Sequence, residues 1–325
     1  MNVFFKLKHY LKPYFIFHPS FKLNPKATEL NLNYWLAGYS NLIINNKWTI
    51  ENGIPLGLYT KDLKLGDEKR THICALCEFC FGNIELGKDN DTVLSFLNYN
   101  LNTEFDKENN LKYSFWKTYI DPFRETYFVH GMGQGQILSL FARYWKITKD
   151  PKYLDVLIKV SNSYLVNFKD PNGFVNKQNG ISFEEYPKRQ KTDPKVLNGW
   201  AISLIGLGDY LEVSNNSLDE RFEKKKELYN NSVITLAKTI NNYNLFIWST
   251  YAQPRSILNI CSIHYHIHHI GLLNVLYHRT NNKVFFKYHI KFLRQFYNPI
   301  YRILALFIKL FISNIFKYGR FYKTK

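Results

Sequence analysis

Glu184, Glu185 and Tyr186 stand just before Pro187, amid the cations Lys188, Arg189 and Lys191. A carboxylate beside a phenol can act as a general base and as a hydrogen-bond donor to an anionic intermediate. The same string also reads as an exposed acidic turn neutralised by its neighbours. A second group runs from Trp248, Ser249, Thr250 and Tyr251 through Arg255 to His264, Tyr265, His266, Ile267, His268 and His269. Helical spacing pairs His264 with His268 and Tyr265 with His269, as a metal site would need. No HExxH pattern and no following carboxylate completes such a site. These rings therefore read as lining a polar cleft or as satisfied core groups, and no metal is expected.

Two further groups carry weaker signals. Gly131, Met132, Gly133, Gln134, Gly135 and Gln136 share only spacing with a dinucleotide-binding loop, because no strand or acidic ribose partner is placed around them. Glycines opening a helix permit close approach of another backbone or of a ligand. Gln134 and Gln136 would suit sugar hydroxyls or stand as exposed glutamines. Cys74, Cys77 and Cys80 have a spacing that could hold iron–sulfur or zinc. Without a fourth ligand at a matching distance, buried thiols in a reducing compartment are the better reading. No cofactor is expected.

The elements that must position these groups are mainly helical. Residues 1–70, with Pro13, Pro19, Pro25 and Pro55, read as irregular with a few short strands. From Thr71 the apolar spacing predicts four helix pairs: 71–86 with 91–102, 133–148 with 151–168, 195–213 with 218–240, and 264–280 with 283–297. Asp150 and Pro151 supply a cap and a first-turn proline for one of them. Successive hairpins of this size stack or close into a ring, and closure into an α/α toroid over 71–298 is the more compact choice. Two long loops, 169–194 and 241–263, are where chemistry is expected.

The net charge is +17, and the 98 residues after Glu227 contain thirteen Lys or Arg and no Asp or Glu. Such a field attracts a polyanion, whether nucleic acid, an anionic membrane surface or an acidic polysaccharide. No RNA-binding motif, Walker loop or zinc finger is present, so nucleic acid is not the expected partner. The greasiest stretch, 300–316, carries Arg302 and Lys309, which argues against a membrane span, and the N-terminus lacks a signal-peptide pattern. Residues 299–325 form a separate tail with Lys317, Arg320, Lys323 and Lys325, which reads as a basic amphipathic helix for an anionic membrane surface or as a helix closing a barrel edge.

Five segments in order resemble the C-terminal catalytic domain of the D-glucuronyl C5-epimerases of heparan sulfate and heparin biosynthesis. They are GMGQGQILSLFARYWKIT (131–148), FEEYP (183–187), VLNGWAISLIGLGDYLEV (196–213), WSTY followed by Arg255, and HYHIHHIGLL (264–273), within a likeness covering 71–280. The resemblance implies an α/α-barrel that turns D-glucuronate into L-iduronate within a heparosan-like polymer. It implies catalytic roles for Glu185, Tyr186, Tyr251 and Tyr265, with the Glu and the last Tyr on opposite sides of the sugar. It implies substrate contacts at Arg255, Gln134, Gln136, Asn198, Trp248, His264 and His266. Ala252, Gln253 and Pro254 intervene before Arg255 where the family has a shorter YDLRH-like stretch.

Residue types suit that reaction. The C5 hydrogen lies next to a carboxylate, so its removal creates an enolate-like dianion that needs donors and cations already in place. A tyrosine acting as base, with a reference pKa near 10, needs a positive neighbour or hydrogen bonds, which Arg255, His264 or His266 could supply. The alternatives are a uronate lyase, which begins with the same proton removal, and a non-catalytic binder of anionic polysaccharide. The expected setting is cytoplasmic, peripheral on the inner face of a membrane, as in bacterial capsule synthesis, with a homodimer left open.

Overall fold

The computed structural model describes residues 11, 14–15, 49–56, 72–121, 126–187, 195–255 and 257–321, with side chains of 49, 56, 119–121, 126, 258 and 312–321 excepted. Most of 1–70, the cations Lys188, Arg189 and Lys191, and the tail cations Lys317, Arg320, Lys323 and Lys325 lie outside what it describes. The protein is mainly α. Its helices are α1 (Ile73–Glu85), α2 (Asp91–Asn100), α3 (Gly131–Thr148), α4 (Pro151–Asn162), α5 (Leu197–Val213), α6 (Phe222–Thr239), α7 (Ile263–Thr280), α8 (Lys283–Tyr297) and α9 (Pro299–Phe321). The strands pair as antiparallel hairpins: β1 (Thr49–Glu51) with β2 (Ile54–Leu56), β3 (Asn102–Asp106) with β4 (Leu111–Phe115), β5 (Thr118–Asp121) with β6 (Thr126–Phe128), and β7 (Val175–Asn176) with β8 (Ser182–Phe183).

Local chemistry starts these helices where the sequence signals it. The Asp150 carboxylate accepts from the Lys152 amide at 3.0 Å, with Pro151 in the first turn of α4. Asn282 caps α8 through the Val284 amide at 3.0 Å. Lys149 and Asn281, both with positive φ, end α3 and α7. One start and one end differ most from the apolar pattern. Helix α6 begins at Phe222 rather than 218, because Asp219 is buried and accepts from the Arg221 amide while its carboxylate meets Lys225 Nζ at 2.6 Å. Helix α4 stops at Asn162 and tightens into a 3₁₀ turn over Ser163–Leu165.

Two compact units are present. One comprises residues 23–193 and 199–236, the other 1–22, 194–198 and 237–325. In the first, α3 and α5 approach so closely that a Cβ on Gly135 would sit 2.6 Å from the Ser203 Cα, and one on Gly206 would strike the Gly135 carbonyl. Gly135 thus serves contact between two backbones, one of the two uses that glycines there allow, while a Cβ on Gly131 or Gly133 would meet side chains. Arg143 of α3 and Asp209 of α5 form a buried ion pair at 2.8 Å beside this contact. The hairpins β3–β4 and β5–β6 fill a stretch to which the helical pattern assigned nothing.

In the second unit, α7, α8 and α9 follow in sequence, and α7 and α8 pack together through Phe285, Phe292, Leu273 and Leu276, all buried. Arg302 of α9 is 1 % exposed and donates to the Tyr14 carbonyl at 3.3 Å and the Phe296 carbonyl at 2.9 Å. Among the described residues no helix is long and apolar enough to cross a membrane.

Candidate active site

In the first unit, the β7–β8 hairpin delivers Glu184, Glu185 and Tyr186. The Glu184 backbone is clamped from both sides, its amide donating to the Phe174 carbonyl and its carbonyl accepting from the Gly131 amide, each at 2.9 Å. The Glu184 side chain is fully buried and accepts from the Ser182 hydroxyl at 2.7 Å. It is therefore part of the scaffold. Glu185 is 4 % exposed and its carboxylate lies directly on Gly199, near the start of α5, where any side chain on residue 199 would overlap it. Tyr186 is 37 % exposed, its ring 5.8 Å from that of Phe128. The acidic string is thus a buried carboxylate and an open phenol, not an exposed acidic turn.

One residue escaped the sequence reading. Glu78 of α1 keeps part of its surface open but lies deep among other groups, and burial pushes its carboxyl up to about 7, against the pull of a hydrogen bond from Gln136. The Cys74 thiol is raised by burial and by the charges of both Glu78 and Glu185. The signal available was a lone acid in the middle of an apolar helix, CALCEFC.

In the second unit, Ser249 is the hub. Its hydroxyl lies 2.8 Å from His266 Nδ1, 2.9 Å from His269 Nδ1 and 2.9 Å from the Cys261 sulfur. The opposite nitrogen of His266 faces the Phe292 carbonyl at 3.0 Å, which can only accept. That nitrogen therefore carries the ring proton, and Ser249 donates to Nδ1. His269 and Cys261 must then donate to Ser249. Two residues on, Tyr251 is held by its amide to the Asn259 carbonyl at 2.7 Å, and its ring meets Tyr265 edge to face at 4.8 Å. Tyr265, the third residue after the Ser262 cap, is 39 % exposed, with the His268 ring at 6.1 Å. Burial, then His264, brings His268 down to about 4, so it is uncharged at neutral pH.

The remaining expected contacts divide. His264 and Arg255 are exposed, and one Arg255 nitrogen donates to the Asn244 carbonyl at 3.2 Å. Asn198 is 3 % exposed in the first turn of α5. Gln134 is turned into the core: its oxygen accepts from the Trp116 amide at 3.1 Å, and its nitrogen donates to the Ser114 carbonyl and the Ser163 hydroxyl. Gln136 is buried against Glu78. Trp248 and His266 are fully buried, stacked at 3.8 Å. Burial holds His266 near 3, so it supplies no positive charge to a tyrosine. The four thiols are free and buried, and among the described residues no three His, Cys, Asp or Glu converge as a metal site would require.

A profile of the D-glucuronyl C5-epimerase C-terminus matches residues 108–294, more than half of the chain. The chain belongs to that family. A D-glucuronyl C5-epimerase of Caenorhabditis elegans is 31% identical over 154 residues, a match covering 44% of this chain and 24% of the relative. Within the epimerase match fall Glu185, Tyr186, Tyr251, Arg255 and Tyr265, while Glu78 and α9 lie outside it.

Proposed function

We propose that this protein is an isomerase that inverts C5 of D-glucuronate within a heparosan-like polymer, giving L-iduronate. The family match over 108–294 carries the reading, and Glu185, a carboxylate fixed on Gly199, is its chemical anchor. One of Glu185 and Tyr265 takes the C5 proton, the electron pair passing into the adjacent carboxylate as an enediolate. The other returns a proton to C5 from the opposite side, so the polymer is neither cut nor oxidised. Tyr186 and Tyr251 donate to the developing charge, and Arg255 holds the uronate carboxylate. Since His266 and His268 are neutral at pH 7, the positive charge favouring a Tyr265 phenolate falls to Arg255.

The thirteen cations after Glu227, with no acid among them, favour an anionic polymer. Four free thiols suit a reducing compartment, and residues 300–325 a peripheral contact with an anionic membrane. Purified protein is incubated with heparosan and N-sulfoheparosan in deuterated water and the product read by NMR. Deuterium at C5 with iduronate signals is expected. An unsaturated uronate would make the protein a lyase, and no exchange on either polymer would overturn the reading.

A further inference from the structure

Helix α9 exposes Ile300, Leu304, Phe307 and Phe311, the two phenylalanines at 64 % and 68 %. Spaced i, i+4, i+7 and i+11, they form one stripe along the helix. The helix's other side, with Arg302, Ala305 and Leu306, is buried. At the root of the stripe lies a cleft of about 580 Å³, reached by Asn298 and Tyr301 and floored by α8. Its cations Lys287, Lys291 and Arg294 recur at i, i+4 and i+7 on α8. Phe246, 79 % exposed, stands at its rim, its ring 6.0 Å from Tyr301. Gln295 donates its amide nitrogen to the Leu245 and Phe246 carbonyls at 3.2 and 3.0 Å, which fixes the amide's orientation. Its oxygen, in a side chain 3 % exposed, has no partner among the described residues.

We infer that this cleft receives the phosphate headgroup of an anionic phospholipid while the α9 stripe enters the same leaflet. The inference deepens, and rests on, the membrane contact proposed above. The three cations attract a phosphodiester and leave positive charge over for neighbouring anionic headgroups, and the Gln295 oxygen offers an acceptor to a headgroup hydroxyl or ammonium. A polysaccharide would also meet the cations, but it offers no apolar medium for Phe307 and Phe311. Large aromatic and aliphatic side chains on one face with cations at its edge are the composition of an interfacial helix. The absence of any acidic residue after Glu227 leaves nothing on this face of α8 and α9 to repel an anionic surface.

The test is co-sedimentation of the full chain with vesicles of phosphatidylglycerol and phosphatidylethanolamine, against phosphatidylcholine alone. Binding to the anionic vesicles is expected. Lys287→Ala, Lys291→Ala and Arg294→Ala together weaken it about a hundredfold, at roughly fivefold per cation. Phe307→Asp with Phe311→Asp abolishes it; both variants keep the wild-type melting curve, and the phenylalanine variant also keeps C5 proton exchange. If only the phenylalanine variant releases the protein, the cleft assignment fails while the helix contact stands. If the wild-type chain ignores anionic vesicles, both fail. Weakened heparosan binding by the cation variant with unchanged vesicle binding would assign the cleft to polysaccharide, and a dimer broken by the phenylalanine variant would assign the stripe to a second copy.

Discussion

The rings of Tyr251 and Tyr265 meet edge to face with centroids 4.8 Å apart, one carried by an extended segment and the other by the first turn of α7. The contact holds the Tyr265 ring without using its hydroxyl, so phenol and ring can be separated by substitution. Tyr265→Phe should lower kcat by about 10²–10⁴, the scale of a lost acid or base, with KM little changed. Tyr251→Ala, which frees the neighbouring ring, should alter both constants. Solvent deuterium exchange at C5 measures the first variant most directly; an exchange rate near wild type would remove Tyr265 from the chemistry.

Gly199 tests Glu185 from the other side. A methyl at 199 runs into the Glu185 carboxylate, while Gly→Ala within a helix is otherwise stabilising by about 0.5–1 kcal/mol. The same methyl would lie 2.7 Å from the Glu185 Cβ, so Gly199→Ala must displace the whole Glu185 side chain and should lose at least about tenfold in turnover. Full turnover in the Ala variant would mean that the position of Glu185 is immaterial.

The ion pair between Arg143 and Asp209 is sealed, with side chains 1 % and 0 % exposed. Asp209→Ala leaves a guanidinium buried without its counter-charge and should destabilise the protein by about 3–5 kcal/mol in urea unfolding. Replacing both partners with apolar residues of similar volume should recover much of that loss. A double variant as unstable as the single one would show that the pair is not the source.

Acid should unfold this protein early. Burial puts His130 and His266 at about 3 and His268 at about 4, against 6.5 in an unfolded chain. The unfolded state therefore binds more protons below pH 6.5, so stability is full above that pH and is lost as pH falls toward 3–4, by up to about 1.4 kcal/mol per pH unit for each ring. Glu78, raised to about 7, works the other way between 4.5 and 7, but is one group against three. Thermal melts from pH 7.5 to 4.5 should fall steadily below pH 6.5, and a flat profile would contradict the buried neutral rings.

Helix starts were legible because their causes are local, as Asp150 with Pro151 shows. Where the cause is a distant contact the start moves: α6 waits for Phe222 because Asp219 is drawn to Lys225, a contact that no apolar pattern encodes. The hairpin β3–β4 hid because Asn102–Asp106 buries none of its five side chains, leaving no alternation to read. Glu185, Tyr186, Tyr251 and Tyr265, the proposed catalytic groups, were singled out by type and resemblance. Gln134, Trp248 and His266 could not be separated from them, since a glutamine that answers a sugar and one that answers Trp116, Ser114 and Ser163 are identical in sequence. Glu78 was obscured by the cysteines around it.

Those cysteines have an experimental use. Cys74, Cys77 and Cys80 belong to one compact unit and Cys261 to the other, and all four are buried and unoxidised. A thiol-alkylating reagent can reach them only when the surrounding structure opens, at a rate set by the free energy of that opening. Peptide-resolved labelling of the native chain therefore reads two opening equilibria in one sample, without any engineered probe.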